Sequence, residues 1–201
     1  MKKYFLQALL TLFFSSAWSL DQLDEKYLIH FGDAQSPVKI TQYFSLTCPH
    51  CLSLFKDEFE DLKKKYIETK EVYWIFHPVP LDTLTIQAME CLSHLSKKQK
   101  VIFLEVLLDT IQQADEDEVV IFLMQEAMKI FKHPIEELAD KAYMTKTQSF
   151  EDAFEFIKQK DGIHAVPSVE INGILFRKDI PDKSFIERQI KLLTNGNRDE
   201  K

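Results

Sequence analysis

The sequence predicts an α/β protein: a small mixed sheet with helices on both faces, split by an all-helical insertion. Three observations carry this. Apolar β-type runs at 38–45 and 71–76 enclose an amphipathic helical stretch, the pattern of a strand–helix–strand unit. From residue 82 to about 143 the periodicity is wholly helical. Finally, Asn172-Gly173 joins two short strands within 165–176, the signature of a type I′ hairpin turn.

Taken in order, the chain begins with Lys2 and Lys3, a mostly apolar run at 4–14, and a small-x-small pattern at Ala17 and Ser19. That is the pattern of a secretory signal peptide over 1–19, cleaved after Ser19. The run is shorter than the roughly 20 apolar residues of a membrane span, and Gln7 and Thr11 interrupt it. The mature chain is therefore expected in the periplasm. Residues 27–31 are a candidate first strand, followed by turn chemistry from Gly32 to Pro37 and the strand at 38–45. Leu52, Phe55, Phe59, Leu62 and Tyr66 then recur at three- and four-residue intervals and mark a helix that opens at Pro49. Proline suits the first turn, where its missing N–H would have had no partner. The run 71–76 reads as a buried parallel strand, ended by His77-Pro78-Val79-Pro80.

Within the helical block the expected helices are 83–95, 98–111, 116–131 and 134–142, with Thr83 or Asp115 as candidate caps. A further helix at 150–159 precedes the hairpin, and a last one spans 183–193. The domain division that follows is a signal peptide at 1–19, an α/β domain built from 20–81 and 144–201, and a helical insertion at 82–143.

Composition narrows the function. Without Lys2 and Lys3 the basic count falls from 25 to 23 against 32 acids, a net charge of −9. That balance argues against nucleic acid and against a basic membrane-binding patch. Sixteen Phe and 45% apolar residues supply a core, while four Gly and seven Pro speak against disorder or a β-sandwich. Three cysteines in an exported chain leave one over after a single pair.

The chemistry concentrates at Cys48-Pro49-His50-Cys51, where a strand gives way to a helix. Two thiols three positions apart at a helix start can close a small disulfide. The unpaired N–H groups and positive dipole end of the helix favour a thiolate on the first cysteine. His50 adds positive charge beside that sulfur. The same spacing occurs in structural disulfides and in zinc sites, but zinc needs two more ligands, and Cys91 with His94 or His77 offers no recognisable pairing. Haem attachment needs a histidine directly after Cys51, where Leu52 stands. No metal and no cofactor is expected. Cys91 lies on one apolar helix stripe with Leu84, Ala88 and Leu95 and reads as a core cysteine. His77 reads as the end of a strand.

These residues resemble the DsbA-like family of exported thiol–disulfide oxidoreductases, which have the thioredoxin fold with an all-helical insertion. The resemblance covers roughly 31–193. It rests on Gly32-Asp33-Ala34, Pro37-Val38-Lys39-Ile40, Tyr43-Phe44, the Cys-x-x-Cys, the helical insertion, and Val166-Pro167 before the hairpin. It implies that Cys48 and Cys51 are catalytic, with Pro49 and His50 tuning them. It implies too that Pro167 is cis and faces the disulfide, with Val166 and Pro167 binding substrate. The implied partners are exported proteins with cysteines and a quinone-linked membrane redox protein, met by a monomer. Related isomerases add an N-terminal dimerisation domain, for which 20–36 is too short. A reductase using the same pair, or a non-catalytic chaperone for unfolded chains, are the rival readings. One departure stands out: many thioredoxin-fold enzymes carry a buried carboxylate six residues before the first cysteine, where this chain has Gln42. An amide cannot accept the proton of the inner thiol, so activation of Cys51 is expected to use water or another group; the alternative reading is that Gln42 simply hydrogen-bonds in the core.

Overall fold

The computed structural model describes residues 25–113, 151, 163, 165–176 and 181–196. The expected signal peptide at 1–19 and the expected helices at 116–131, 134–142 and (apart from the helical Glu151) 150–159 lie outside them.

Among the described residues five strands make one sheet: β1 Ile29–Phe31, β2 Val38–Phe44, β3 Val72–Pro78, β4 Ser168–Ile171 and β5 Ile174–Phe176. Their order across the sheet is β1-β3-β2-β4-β5. Only β2 and β3 are parallel, with Ile40 opposite Trp74 and Gln42 opposite Phe76. β1 lies antiparallel on β3, β4 on β2, and β5 on β4. A parallel pair needs a crossover, and here it is a single helical run, α1. This run comprises Pro49–Ser53, a π-helical turn Leu54–Glu58, Phe59–Leu62 and a second π-helical turn Lys63–Ile67. Among the described residues, two helices, α2 (Thr83–Ser93) and α3 (Lys97–Gln113), lie between β3 and β4. A last helix, α4, spans Lys183–Gly196.

The alternating apolar positions of β2 and β3 explain the core. Val38, Ile40 and Phe44 share a face with Val72, Trp74 and Phe76, and that face packs on Leu54, Phe59, Leu62 and Tyr66 of α1. The aromatic rings meet edge to face: Phe59 lies 4.9 Å from Phe76 and 5.4 Å from Trp74, and Phe31 lies 5.1 Å from Phe59. Gly32 lets the chain turn from β1 to β2 beside this core. Its φ is +89°, and a Cβ there would come within 2.8 Å of the Ile67 side chain and 2.9 Å of the Val72 carbonyl oxygen.

Several expectations shift at their edges. β3 runs on through His77 and Pro78, because β2 still offers Tyr43 and Phe44 as partners there. His77 is thus inside the strand and buried, with Nδ1 2.9 Å from the Pro78 carbonyl oxygen. The cap of α2 is Asp82, not Thr83: its carboxylate accepts the Thr85 N–H at 2.8 Å. α4 extends to Gly196, beyond the expected end at 193. At the hairpin, Asn172 and Gly173 have φ of 47° and 83°, both positive as a type I′ turn requires. Asn172 also accepts the Lys39 N–H on its side-chain oxygen at 2.7 Å, which pins the hairpin tip to the start of β2.

Candidate active site: a dithiol at the start of α1

β2 ends at Phe44, a turn of three residues follows, and Cys48 caps α1 with φ −87° and ψ 110°, extended rather than helical. In that position its sulfur accepts the Cys51 N–H at 3.4 Å, taking one of the N–H groups a helix start leaves free. The same thiol donates to the Val166 carbonyl oxygen at 3.5 Å. The Val166–Pro167 bond is cis. The loop before β4 is held by Ser168, whose hydroxyl donates to the Ala165 carbonyl at 2.6 Å. Residues 118 positions apart are thereby brought to one sulfur.

The two cysteines differ sharply in surroundings. Cys48 is half-buried, whereas Cys51 is 2% exposed and belongs to the main core. Burial pushes the Cys51 thiol well above its ordinary pKa, and the hydrogen bond with Cys48 pushes the same way. A backbone hydrogen bond from Ser45 offsets part of this. Pro49 and His50 are exposed beside Cys48. Val166 and Pro167 are half-buried, and Val166 packs against the same core cluster as Cys48. The outer thiol is thus reachable, the inner one is shielded, and a carbonyl edge lies alongside. Such an arrangement suits a disulfide that is attacked at Cys48 and expels Cys51.

The third cysteine, Cys91, is 7% exposed on α2 among Leu84, Ala88 and Leu95, and burial pushes its thiol up to about 12. Gln42 lies on the α1-facing side of β2, 1% exposed. The alternative reading of a core hydrogen bond is not met: neither its amide nitrogen nor its oxygen has a partner among the described residues.

The sequence reading missed the residues that hold the turn. The Ser45 hydroxyl donates to the Asp82 carboxylate at 2.5 Å, and the Thr85 hydroxyl donates to the same carboxylate at 2.7 Å. Thr85 in turn accepts the Leu46 N–H at 2.8 Å. The available signal is the Asp-x-x-Thr spacing at 82–85, a helix-cap pattern one residue before the expected cap Thr83. Among the described residues no cluster of His, Cys, Asp and Glu could hold a metal ion, and no helix is long and apolar enough to cross a membrane.

A half-exposed thiol capping a helix, an inner buried thiol and a parallel strand pair define a protein of the thioredoxin class. A family model described as Thioredoxin matches residues 24–191, and the chain belongs to that family. Solved structures share its fold. Alpha-DsbA1 from Wolbachia pipientis matches with a TM-score of 0.65 at 20% identity, covering 84% of this chain and 92% of that one. BdbD from Bacillus subtilis matches with a TM-score of 0.64 at 20% identity, over 84% and 93%. The architecture is therefore the thioredoxin fold, with helices inserted between β3 and β4. Among curated relatives, a Rickettsia prowazekii protein provisionally named a protein-disulfide oxidoreductase is 37% identical over 54 residues, 27% of this chain. A Rickettsia conorii protein with the same kind of name is 43% identical over 44 residues, 22% of this chain. The matched stretches span only 20% and 16% of those relatives' lengths.

Proposed function

We propose that this protein is a thiol–disulfide oxidoreductase, acting as a DsbA-like dithiol oxidase on exported proteins through Cys48 and Cys51. The observation that carries the reading is the placement of Cys48: its sulfur meets a helix-start N–H on one side and the Val166 carbonyl on the other, with Cys51 buried beneath. A client thiolate attacks Cys48 of the disulfide; a client–Cys48 bond forms, the Cys48–Cys51 bond breaks, and Cys51 leaves with the electron pair and takes up a proton. A second client thiolate attacks the client sulfur of the mixed disulfide and expels Cys48. The client is oxidised to a disulfide and the enzyme is left as a dithiol. Every interaction that stabilises the Cys48 thiolate makes it a better leaving group and the protein more oxidising. His50, exposed next to it, adds to that stabilisation.

The client's extended chain pairs with the Val166 backbone beside Pro167. Residues 1–19 direct export to the periplasm, and the remaining 20–81 and 144–201 form the redox domain around a helical insertion at 82–143. The position of α2 and α3 between β3 and β4 supports that division. The dithiol is returned to the disulfide by a quinone-linked membrane partner, and the protein works as a monomer.

The test is disulfide formation in a reduced, unfolded client, with Cys48→Ser as control, and equilibration with glutathione. Rapid oxidation by wild type and none by Cys48→Ser supports the proposal. An equilibrium that keeps the protein oxidised against glutathione would make it a reductase instead. Client binding with no exchange would make it a chaperone.

A further inference from the structure

We propose that Asp82 is a positioning residue for the dithiol: through Ser45 it fixes the turn that places Cys48. The inference rests on the proposed thiol–disulfide exchange but concerns residues outside the Cys-Pro-His-Cys segment.

Ser45 is the hub. Its carbonyl accepts the Cys48 N–H at 3.3 Å. Ser45 therefore holds the backbone of the residue that caps α1, and with it the sulfur that accepts the Cys51 N–H. Its side chain is 2% exposed and cannot turn to water for a partner. The hydroxyl accepts the Thr47 N–H at 3.3 Å and gives its own proton to Asp82. A second arm runs in parallel. Leu46 N–H donates to the Thr85 hydroxyl, and Thr85, itself fully buried, donates to the same Asp82 oxygen. One carboxylate thus terminates two chains of donors, each starting at a backbone N–H of the turn that leads into Cys48. Charge-assisted hydrogen bonds of this kind are stronger than neutral ones. The turn's geometry is consequently set by a residue 34 positions beyond Cys48, at the cap of α2.

The consequence for chemistry follows from which redox state uses the contacts. A thiolate at Cys48 accepts the Cys51 N–H strongly, whereas a disulfide sulfur accepts it weakly. Displacing Ser45 withdraws support from the reduced pair more than from the disulfide. The protein then becomes less oxidising.

The experiment compares wild type, Asp82→Asn, Ser45→Ala and the double variant in equilibrium with glutathione, alongside the pH profile of Cys48 alkylation. In Asp82→Asn an amide nitrogen can replace the oxygen that accepts both hydroxyl protons, whereas Ser45→Ala removes one arm without changing charge. Each single variant is expected to shift the equilibrium about threefold or more toward oxidised protein, and the double variant no further than the larger single. Cooperative melting establishes that each variant folds, and Ser45→Ala, the smaller change, carries the test if Asp82→Asn does not. An unchanged equilibrium and alkylation profile in folded variants overturns the inference, leaving Asp82 only as a helix cap. A shift toward reduced protein in Asp82→Asn, with none in Ser45→Ala, also overturns it, since the carboxylate would then act as a bare charge. Wild type that does not exchange with glutathione at all would refute the proposed activity rather than the role of Asp82.

Discussion

The starts of α1 and α3 each set an ionisable side chain against backbone polar groups, with opposite results. At α1 the sulfur of Cys48 receives an N–H and remains half-exposed. At α3 the ammonium of Lys100 is 4% exposed and donates to three carbonyls, of Glu25 at 3.0 Å, Lys26 at 2.7 Å and Leu28 at 3.3 Å. A cation in the first turn of a helix opposes the dipole, and burial pulls the Lys100 pKa down to about 8, with Glu25 opposing and Lys97 reinforcing. The carbonyls offset those costs and tie the chain's entry segment to α3. Backbone complementarity alone does not make a reactive group. Access does: the same kind of contact leaves Cys48 open to another molecule and locks Lys100 into a clasp.

The largest expected effect breaks the first half of this contrast. Cys48→Ser should abolish disulfide exchange to the background rate, whereas Lys100→Met should leave exchange within about twofold of wild type, since it lies at the other helix start. Turnover of a reduced client by the two variants checks both statements.

Alkylation sharpens the contrast among the thiols themselves. In reduced native protein at pH 8, Cys48 should react with iodoacetamide at least about tenfold faster than Cys91, whose thiol is both buried and held near pKa 12. Mass spectrometry of quenched samples reads the ratio, and in denaturant the difference should vanish. Equal rates in native protein would contradict the burial of Cys91.

Lys100→Met tests the clasp. It leaves three carbonyls without their donor and should cost about 1–3 kcal/mol at pH 7. The pH dependence has a definite sign. The folded pKa of Lys100 lies below its usual value of 10.5, so between about 8 and 10.5 the unfolded chain holds more protons at this site. Its contribution to stability therefore rises with pH across that window, and the margin of wild type over Lys100→Met should widen. Denaturant unfolding at pH 7 to 10 measures the margin; a flat or narrowing one would show that the ammonium is not penalised by burial.

His50→Ala should give the smallest effect. Loss of the imidazole should shift the glutathione equilibrium about threefold toward oxidised protein, less than a buried charge would, because solvent screens an exposed side chain. An unchanged constant would leave the helix-start amides as the sole source of thiolate stabilisation.

The dithiol was legible in the sequence because its information is local. Strand periodicity up to Ser45, Cys-x-x-Cys, and a helical stripe from Leu52 lie within one stretch of chain, and each has its own physical signature. Val166 and Pro167 became legible only through family resemblance, since nothing local says that a loop 118 positions away meets Cys48. Asp82 was legible only as a helix cap, through its Asp-x-x-Thr spacing, and the partners of Asp82 and Lys100 were not legible at all. Their bonds cross 37 and 72–75 positions, and at the sequence level they look like a residue before a helix and one of several surface lysines. Gln42 was visible as a departure, but an amide left without partners in a core cannot be told from a satisfied one without coordinates. The π-helical turns of α1 escaped for a simpler reason: intervals of three and four residues mark an apolar stripe without fixing the winding between its members.

Those turns give α1 a kind of slack. A π-helical turn accommodates one residue more than an α-helical turn, so removing one from Leu54–Glu58 restores regular winding. Lys56 and Asp57 are exposed there. Losing either would shorten the helix while Cys51 on one side and Phe59 on the other keep their bearings. The same loss at Glu60 or Asp61, inside the α-helical stretch, would swing everything beyond it by about 100°. It would carry Leu62 out of the core before the second π-helical turn, Lys63–Ile67, could take up the loss. Single-residue deletions, rather than substitutions, should therefore map where this helix can change its length without disturbing the thiols it carries.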